Sequence, residues 1–307
     1  MYVNLSIVGE TAAIVASVVW TLSSIFFTSA GKKLGSLAVN AYRTVLAVLF
    51  LALTHVIILG SLLPIASGGQ WFWMGLSGVV GLSVGDSGLF AAYITLGPRR
   101  SLLLMALSPI FAALGAYLML SETIPVFNIV GMAITLVGII VVILEEEEHS
   151  GEAPVPKKMK GYGILFGLIA AAGQGIGLVL SKKGIELSPG MTLNPLSATL
   201  MRMIWGAVAI WVALLILGKW PALRAAVKNR GGIRDAAAGA AFGPFLGVTL
   251  SMVAVTYTEA GVAQTLLSLM PVMIIPVVWV LYGQRTSWRG ILGAIIAIVG
   301  VVILFMV

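Results

Sequence analysis

The chain has 307 residues, of which 60% are hydrophobic and only 9% are charged, and its mean hydropathy is +1.09. Soluble domains carry about 25% charged residues, so this composition excludes a soluble domain and predicts an integral membrane protein. The formal net charge of +7 comes from basic residues in short segments between apolar runs, which indicates membrane topology rather than a nucleic-acid partner. The absence of cysteine excludes disulfides, thiolate metal sites and a cysteine nucleophile.

The apolar runs are long enough to cross a membrane, which takes about 20 residues of helix. The first run has no basic leader and contains Glu10, so we expect a retained helix rather than a cleaved signal. Breaks at charges, Gly/Pro clusters and polar residues predict ten membrane-spanning helices, called spans 1 to 10: 7–30, 38–60, 71–95, 101–120, 125–144, 161–181, 196–218, 236–258, 261–282 and 288–306.

A charged segment divides the ten predicted spans into two groups of five. The sequence EEEEHSGEAPVPKKMK at 145–160 combines a charge run with two prolines, a composition typical of a flexible linker. It separates a first five-helix unit at 1–144 from a second at 161–307.

The two units look like copies of each other. A shift of 162 residues aligns 74–144 with 236–306 without a gap, and it places Gly85 on Gly247 and Pro109 on Pro271. Because five is odd, the second copy must enter the membrane from the opposite side. The sequence therefore predicts an all-α membrane protein with two inverted five-helix repeats, an arrangement common among secondary transporters, whose substrate site lies near the midplane.

The basic residues predict an orientation. The segments on one side carry 14 Lys and Arg, of which five lie in the long segment 219–235, whereas the other side carries Lys182 and Lys183. The positive-inside rule then places the basic side in the cytoplasm and both termini outside, in a prokaryotic inner or plasma membrane.

Two stretches carry a family resemblance. SLLLMALSPIFAALGAYLMLSETIPVFNIVGMAITLVGIIVVIL (101–144) and AQTLLSLMPVMIIPVVWVLYGQRTSWRGILGAIIAIVGVVILF (263–305) resemble the EamA-type repeat of the drug/metabolite transporter superfamily. Arg43 and Arg202 match the arginine that opens the second helix of that repeat. The Gly-Glu pair of the family reads Ser121-Glu122 and Gly283-Gln284 here, and many relatives place their termini in the cytoplasm, opposite to the charge count.

The resemblance implies a secondary transporter that moves small organic metabolites by alternating access, with export as the favoured direction. It also implies a central cavity lined mainly by spans 1, 3, 4, 6, 8 and 9, with spans 5 and 10 packed outside. A sparsely charged cavity suits amino-acid-like or other small polar solutes better than nucleotides, whose phosphates require several basic side chains.

Polar side chains recur at helical spacing on several predicted spans, and we expect them to line this cavity. The alternative for each hydroxyl is a bond to its own backbone or to a neighbouring helix, and Trp20 could equally pack against lipid or protein. The expected lining residues are Ser83, Asp86 and Tyr93 of span 3, Trp20, Thr21 and Ser24 of span 1, Gln174 of span 6, Thr249 and Thr256 of span 8, and Gln264 and Ser268 of span 9.

Asp86 is the charged residue within span 3, and a carboxylate at bilayer depth costs roughly 2.5–3.5 kcal/mol on insertion scales. It can pair with Arg43, face water or remain protonated. Its counterpart in the second copy is Val248, so the repeat fold does not itself demand an acid, and we expect Asp86 to bind substrate or a coupling proton.

For Arg43 and Arg202, snorkelling, a structural ion pair and contact with an anion all stay open. Pro109 and Pro271 are predicted to kink their helices.

Other functional classes find little support. No metalloprotease, nucleophile–base or phosphate-cradling motif is present, so we expect neither an enzyme nor a cofactor nor a metal site. The alternative to a metabolite transporter is a lipid-moving protein or channel-like permease on the same fold. The expected partners are a small-molecule substrate and the lipid bilayer, and the oligomeric state stays open.

Overall fold

A computed structural model of the chain describes residues 5–96, 101, 104–149, 157–187, 193–282 and 287–305. This part of the chain is almost wholly helical and contains no β-strand, as lipid requires, because a helix satisfies its own backbone polar groups. Seven helices are long and apolar enough to cross a membrane, and three shorter apolar helices bring the number of spans to ten.

The ten spans follow the predicted order, and some of them consist of more than one helical segment. A short helix, Trp220–Val227, lies between spans 7 and 8. The spans are Leu5–Leu34; Ser36–Leu59; Gly68–Ser77, Gly78–Gly85 and Asp86–Leu96; Ser108–Leu120; Val126–His149; Lys157–Ile185; Pro195–Ile216; Arg230–Ala240, Ala241–Gly247 and Val248–Tyr257; Ala260–Leu267 and Met270–Tyr282; and Trp288–Phe305.

Several helices extend beyond the predicted limits. Span 1 continues through Lys32 and Lys33 to Leu34, where cations favour the negative end of the helix dipole. Span 5 continues to His149 and span 6 begins at Lys157, since glutamate and lysine are good helix formers. Helix therefore occupies both ends of the predicted linker, and residues 150–156 lie outside the described part of the chain.

Spans 3 and 8 share a distortion at matching positions. Each changes from α- to π-helix, over Gly78–Gly85 in span 3 and over Ala241–Gly247 in span 8. Gly85 and Gly247 end these π segments and are the residues related by the shift of 162. Pro244 lies inside the second π segment and cannot donate the usual backbone hydrogen bond. The two halves therefore repeat a backbone irregularity as well as a helix count.

The helices of spans 4 and 9 are interrupted before Pro109 and Pro271. In span 4 the Leu107 amide donates to the Leu104 carbonyl at 3.0 Å, and in span 9 the Leu269 amide donates to Leu266 at 3.2 Å. A new helix starts at Ser108 in one half and at Met270 in the other, so each proline lies in a first turn, where its missing N–H costs least. The prolines thus mark breaks between half-helices, in register across the two halves.

The contacts between spans follow an approximate two-fold symmetry. Span 1 packs on spans 8 and 9, and span 6 packs in the same way on spans 3 and 4. Spans 2 and 7, 4 and 9, and 5 and 10 pair with their own counterparts. Each half has five spans, and equivalent spans make equivalent contacts across the two halves. The contacts therefore have the symmetry of an inverted repeat.

The bundle exposes apolar side chains where a membrane would cover them. Leu53, Ile57 and Phe127 are 62%, 73% and 69% exposed. Spans 5 and 10 pack closely through glycines on the periphery, because a Cβ on Gly138 would lie only 2.3 Å from the Ala297 nitrogen. Such small-residue contacts are typical of helix pairs in membranes, where van der Waals packing replaces the hydrophobic effect.

We predict that Gly138→Ala destabilises the protein. The new methyl group would meet the backbone of Ala297, so spans 5 and 10 must separate, at about 1–3 kcal/mol for overpacking. The measurement is the thermal unfolding midpoint in detergent. Gly161→Ala is the matched control, because a Cβ there meets no atom within 4 Å. Equal midpoints for the two variants would contradict the tight packing of spans 5 and 10.

Candidate functional site

A cavity of about 540 Å³ lies between the two halves of the bundle. Its volume is in the range typical of small-molecule sites. It is lined from spans 1, 3, 4, 6, 8 and 9, with Val39 and Arg43 of span 2, Ile139 of span 5 and Arg202 of span 7 added. The polar and charged lining residues are Ser24, Arg43, Asp86, Ser108, Gln174, Arg202, Ser251, Gln264 and Ser268.

Asp86 forms a buried ion pair with Arg43. The carboxylate is 6% exposed and accepts a hydrogen bond from an Arg43 terminal nitrogen on Oδ2, while Gln174 donates to Oδ1 at 2.6 Å. Arg43 also donates from Nε to Asn40 at 2.9 Å. Both oxygens of the carboxylate are thus engaged, as a buried charge requires. Arg43 and Asp86 belong to the first half, and Gln174 belongs to the second.

Glycines allow Gln174 to reach Asp86. A Cβ on Gly173 of span 6 would lie 2.7 Å from the Cα of Gly85, and a Cβ on Gly177 would lie 2.9 Å from the Cα of Gly81. The backbones of spans 3 and 6 therefore approach more closely than larger residues permit. This approach is what brings an amide from the second half onto a carboxylate of the first.

Arg202 is the second buried arginine of the cavity, and it lacks a comparable partner. The residue is 3% exposed, and its Nε makes no hydrogen bond with the described part of the chain. Asp86 is close enough to interact with it electrostatically, but the carboxylate oxygens of Asp86 are taken by Arg43 and Gln174. Neither arginine snorkels to the membrane surface, since both are buried.

The structure places part of the expected set in the cavity. Of these residues, Trp20, Ser24, Asp86, Gln174, Gln264 and Ser268 line it, and Pro271 and both arginines do too. Pro109, Ser83, Thr21, Thr249 and Thr256 are not among the lining residues, and the side chain of Tyr93 lies outside the described part.

Ser83 and three threonines of the expected set do not line the cavity. Ser83 lies in the π segment before Asp86, where the wider turn changes the phase that α-helical spacing assumes. The three threonine hydroxyls donate to carbonyls four residues earlier: Thr21 to Ser17 at 2.8 Å, Thr249 to Phe245 at 2.5 Å and Thr256 to Met252 at 2.6 Å. They follow the backbone-bonding alternative. Ser251 and Ser268 make the same bond and line the cavity, so this bond does not decide whether a hydroxyl group faces it.

Sequence reasoning missed the aromatic contacts of Arg43. The guanidinium carbon lies 5.6 Å from the ring centre of Phe27 and 5.5 Å from that of Phe90, within cation–π range. It also missed a link between the halves, in which Gln264 donates to the Ser108 hydroxyl at 3.0 Å. The only sequence signal for this link was the position of Ser108 before Pro109.

An ion pair joins the two halves at one end of the bundle. The Lys182 ammonium at the end of span 6 lies 2.6 Å from Glu122 and donates to the Thr258 carbonyl at 2.8 Å. Glu122 accepts from the Ala260 amide at 3.1 Å, where span 9 begins, and its charge favours that helix N-terminus. Burial raises the pKa of the neighbouring Glu186 carboxyl, although Lys182 opposes this effect.

Ser121 turns the chain that carries Glu122. Its φ is 56°, the only positive value at a non-glycine residue in the described chain. This conformation costs roughly 1–2 kcal/mol for a residue with a Cβ. Glycine, the residue of the family's Gly-Glu pair, would adopt this conformation freely. Serine at this position therefore makes the turn more costly, while the glutamate of the pair is retained as Glu122.

The opposite, basic end of the cavity is less closely packed. The lining there reaches Gly31 in the last turns of span 1, and a Cβ on Gly31 would meet no atom within 4 Å in the described part of the chain. At this end Lys33 pairs with Asp235 at 2.5 Å, joining spans 1 and 8 at the side of the cavity. The described chain groups no three residues that could hold a metal ion.

The EamA-like transporter family profile matches residues 7–144 and 161–306. The chain belongs to the EamA-like transporter family. A Clostridium kluyveri protein named as an uncharacterized transporter is 23% identical over 237 residues, covering 77% of this chain and 73% of that protein. A solved crystal structure superimposes with a TM-score of 0.74 at 13% identity, over 97% of this chain and 96% of the other, which supports the fold. As a member of this family the chain is a membrane transporter protein.

We predict that Asp86→Asn destabilises this transporter strongly, because it leaves the buried Arg43 without its counter-ion, and that Arg43→Gln destabilises it less, because Arg202 still interacts with the Asp86 carboxylate. Breaking a buried pair costs about 3–5 kcal/mol, whereas removing both charges together costs much less. The double variant should therefore have a higher thermal unfolding midpoint than Asp86→Asn at neutral pH. Simple addition of the two single effects would show that the two side chains are not coupled and would contradict the ion pair.

Proposed function

We propose that the chain is a secondary transporter that moves a small polar organic metabolite through this cavity by alternating access, with export as the favoured direction. The observation that carries the proposal is a cavity of about 540 Å³ between two symmetry-related halves, with a buried Arg43–Asp86 pair at its wall. Amino-acid-like solutes are one kind of metabolite that such a volume accommodates.

The unequal ends of the cavity support alternating access. The Lys182–Glu122 pair closes one end, and the lining reaches Gly31 at the basic end. Closure depends on contacts between spans 4, 6, 8 and 9, which come from both halves. If the halves rock about the site, the ion pair must break as the opposite end closes, in the manner of inverted-repeat transporters.

Asp86 is proposed to serve substrate binding rather than fold alone. It lines the cavity and its counterpart in the second half is Val248. Ionisable groups in membrane interiors are functional candidates because their burial is costly. Its pairing with Arg43 places a neutral, strongly dipolar group at the cavity wall, and the carboxyl is also the proposed position of a coupling proton.

Counterflow in proteoliposomes tests transport directly. A metabolite panel is first screened by thermal shift, where a ligand at about 100 times its Kd adds about 2.7 kcal/mol of stability. We expect uptake of a labelled hit to saturate and to accelerate when the unlabelled hit is inside the vesicle. Transfer of labelled lipid between leaflets without any solute counterflow would establish the lipid-moving alternative, and ion conductance without saturation would establish a channel.

We predict that Glu122→Gln opens the closed end of the cavity. A cysteine at Leu267, a lining residue, should react with an impermeant maleimide mainly from the basic side and, after loss of the ion pair, also from the opposite side. Glu186→Gln is the matched control, because Glu186 lies 3.9 Å from Lys182 of its own span and forms no ion pair with another span in the described part of the chain. If the cysteine at Leu267 is still labelled mainly from the basic side in Glu122→Gln, the ion pair does not close the opposite end of the cavity.

The same assay in whole cells determines orientation, since the chain has no native cysteine. Ile65 is 93% exposed between spans 2 and 3, and Val227 is 53% exposed on the basic side. With the basic side in the cytoplasm, Ile65→Cys should be labelled from outside and Val227→Cys should not. The reverse pattern would place the termini in the cytoplasm.

A further inference from the structure

The charges at the cavity wall do not balance. Three charged side chains line it in the described part of the chain: Arg43, Asp86 and Arg202. Asp86 and Arg43 neutralise each other through a direct ion pair. The remaining guanidinium, that of Arg202, gives the wall a formal charge of +1, because arginine is always protonated in proteins.

Arg202 lies where the chain itself gives it little compensation. It is 3% exposed, no ion pair joins it to the described residues, and its Nε has no hydrogen-bond partner there. Buried charges are normally paired, since desolvation of an isolated ion costs several kcal/mol. An arginine that is buried, unpaired and at a cavity wall therefore indicates an anionic ligand.

Two glycines make room for this guanidinium. A Cβ on Gly81 would lie 2.6 Å from a terminal nitrogen of Arg202, and a Cβ on Gly177 would lie 3.4 Å from it. The guanidinium thus rests against the backbones of spans 3 and 6, beside the Arg43–Asp86 pair. Because these two residues have no side chain, they leave free the space into which Arg202 extends from span 7.

We infer that the substrate is a small organic monoanion whose carboxylate binds Arg202. This inference rests on the proposed function and specifies the solute. One uncompensated guanidinium matches one negative charge, and its planar donors suit a carboxylate. A phosphate ester, with nearly two charges, would require more basic groups. The ammonium of a zwitterion would require a free acid, and both oxygens of Asp86 are engaged.

The apolar residues of the cavity wall favour an apolar group attached to the carboxylate. Trp20, Phe27, Leu82, Leu89 and Phe90 supply apolar surface around the charged groups. Burial of apolar surface favours an apolar ligand body. The volume accommodates an aliphatic or an aromatic body, so the preferred class is an aliphatic or aryl monocarboxylate.

Four compounds on one carbon skeleton test the charge requirement: 4-methylpentanoate, leucine, 4-methylpentanamide and leucinamide, which are an anion, a zwitterion, a neutral amide and a cation. The assay is thermal shift of the purified full-length protein, followed by counterflow. We expect monocarboxylates to bind, at least about tenfold more tightly than the other three forms. Equal binding of the amide or of leucine overturns the inference, and so does a lack of binding by every monocarboxylate of this size.

Variants assign the contact to Arg202. Arg202→Gln should lower carboxylate affinity about tenfold or more while the protein stays folded, because the change removes an unpaired buried charge. Gly81→Ala keeps that charge but displaces the guanidinium, and it should weaken the same ligand without affecting the amide. Arg224→Gln, at an exposed arginine stacked on Trp220, is the control and should bind as wild type.

The outcomes separate this inference from the proposed function. Saturable counterflow of another solute that persists in Arg202→Gln overturns the monoanion and leaves transport intact. Carboxylate binding that depends on Arg202 without any counterflow sustains the anion site and overturns transport.

Discussion

Charged groups buried among apolar helices must neutralise one another, and this constraint organises the centre of the molecule. The Asp86 carboxylate is held by Arg43 from the same half and by Gln174 from the other, and the approach of Gly173 to Gly85 makes the second contact geometrically feasible. A buried pair of this kind contributes little net stability compared with an apolar replacement. Its value lies in fixing the relative positions of spans 2, 3 and 6 around the cavity.

The two halves share backbone irregularities more strictly than they share side chains. The π segments end at matching glycines, and the breaks before Pro109 and Pro271 occur at the same register. The charged positions differ: Asp86 corresponds to Val248, and Glu122 corresponds to Gln284. Duplicated backbone geometry therefore supplies the symmetric frame, and substitutions within one half make its cavity chemically asymmetric.

Much of this architecture is readable from hydropathy and register. Ten spans, their order and the breaks at Pro109 and Pro271 follow from apolar runs and a gapless repeat, and Arg43 is identifiable as the available partner for Asp86 within its half. The positions of Ser83 and Thr249 relative to the cavity are not readable. The first lies in a π turn that alters helical phase, and the second follows directly after the matching π turn of span 8. The Lys182–Glu122 contact joins residues distant in sequence, so no local sequence pattern predicts it.

The distribution of ion pairs between the halves has a mechanical consequence. Arg43 and Asp86 both belong to the first half, whereas Lys182 and Glu122 come from different halves. In any relative motion of the halves, the deep pair travels as one rigid dipole, and the contacts that have to be exchanged at the cavity are the amide hydrogen bonds of Gln174 and Gln264 and the interaction of Arg202 with Asp86. The ions that separate are Lys182 and Glu122, whose side chains are only 9% and 14% exposed, so they must gain water as they part. The electrostatic work of opening is therefore concentrated at one end of the bundle and leaves the ion pair at the substrate cavity intact.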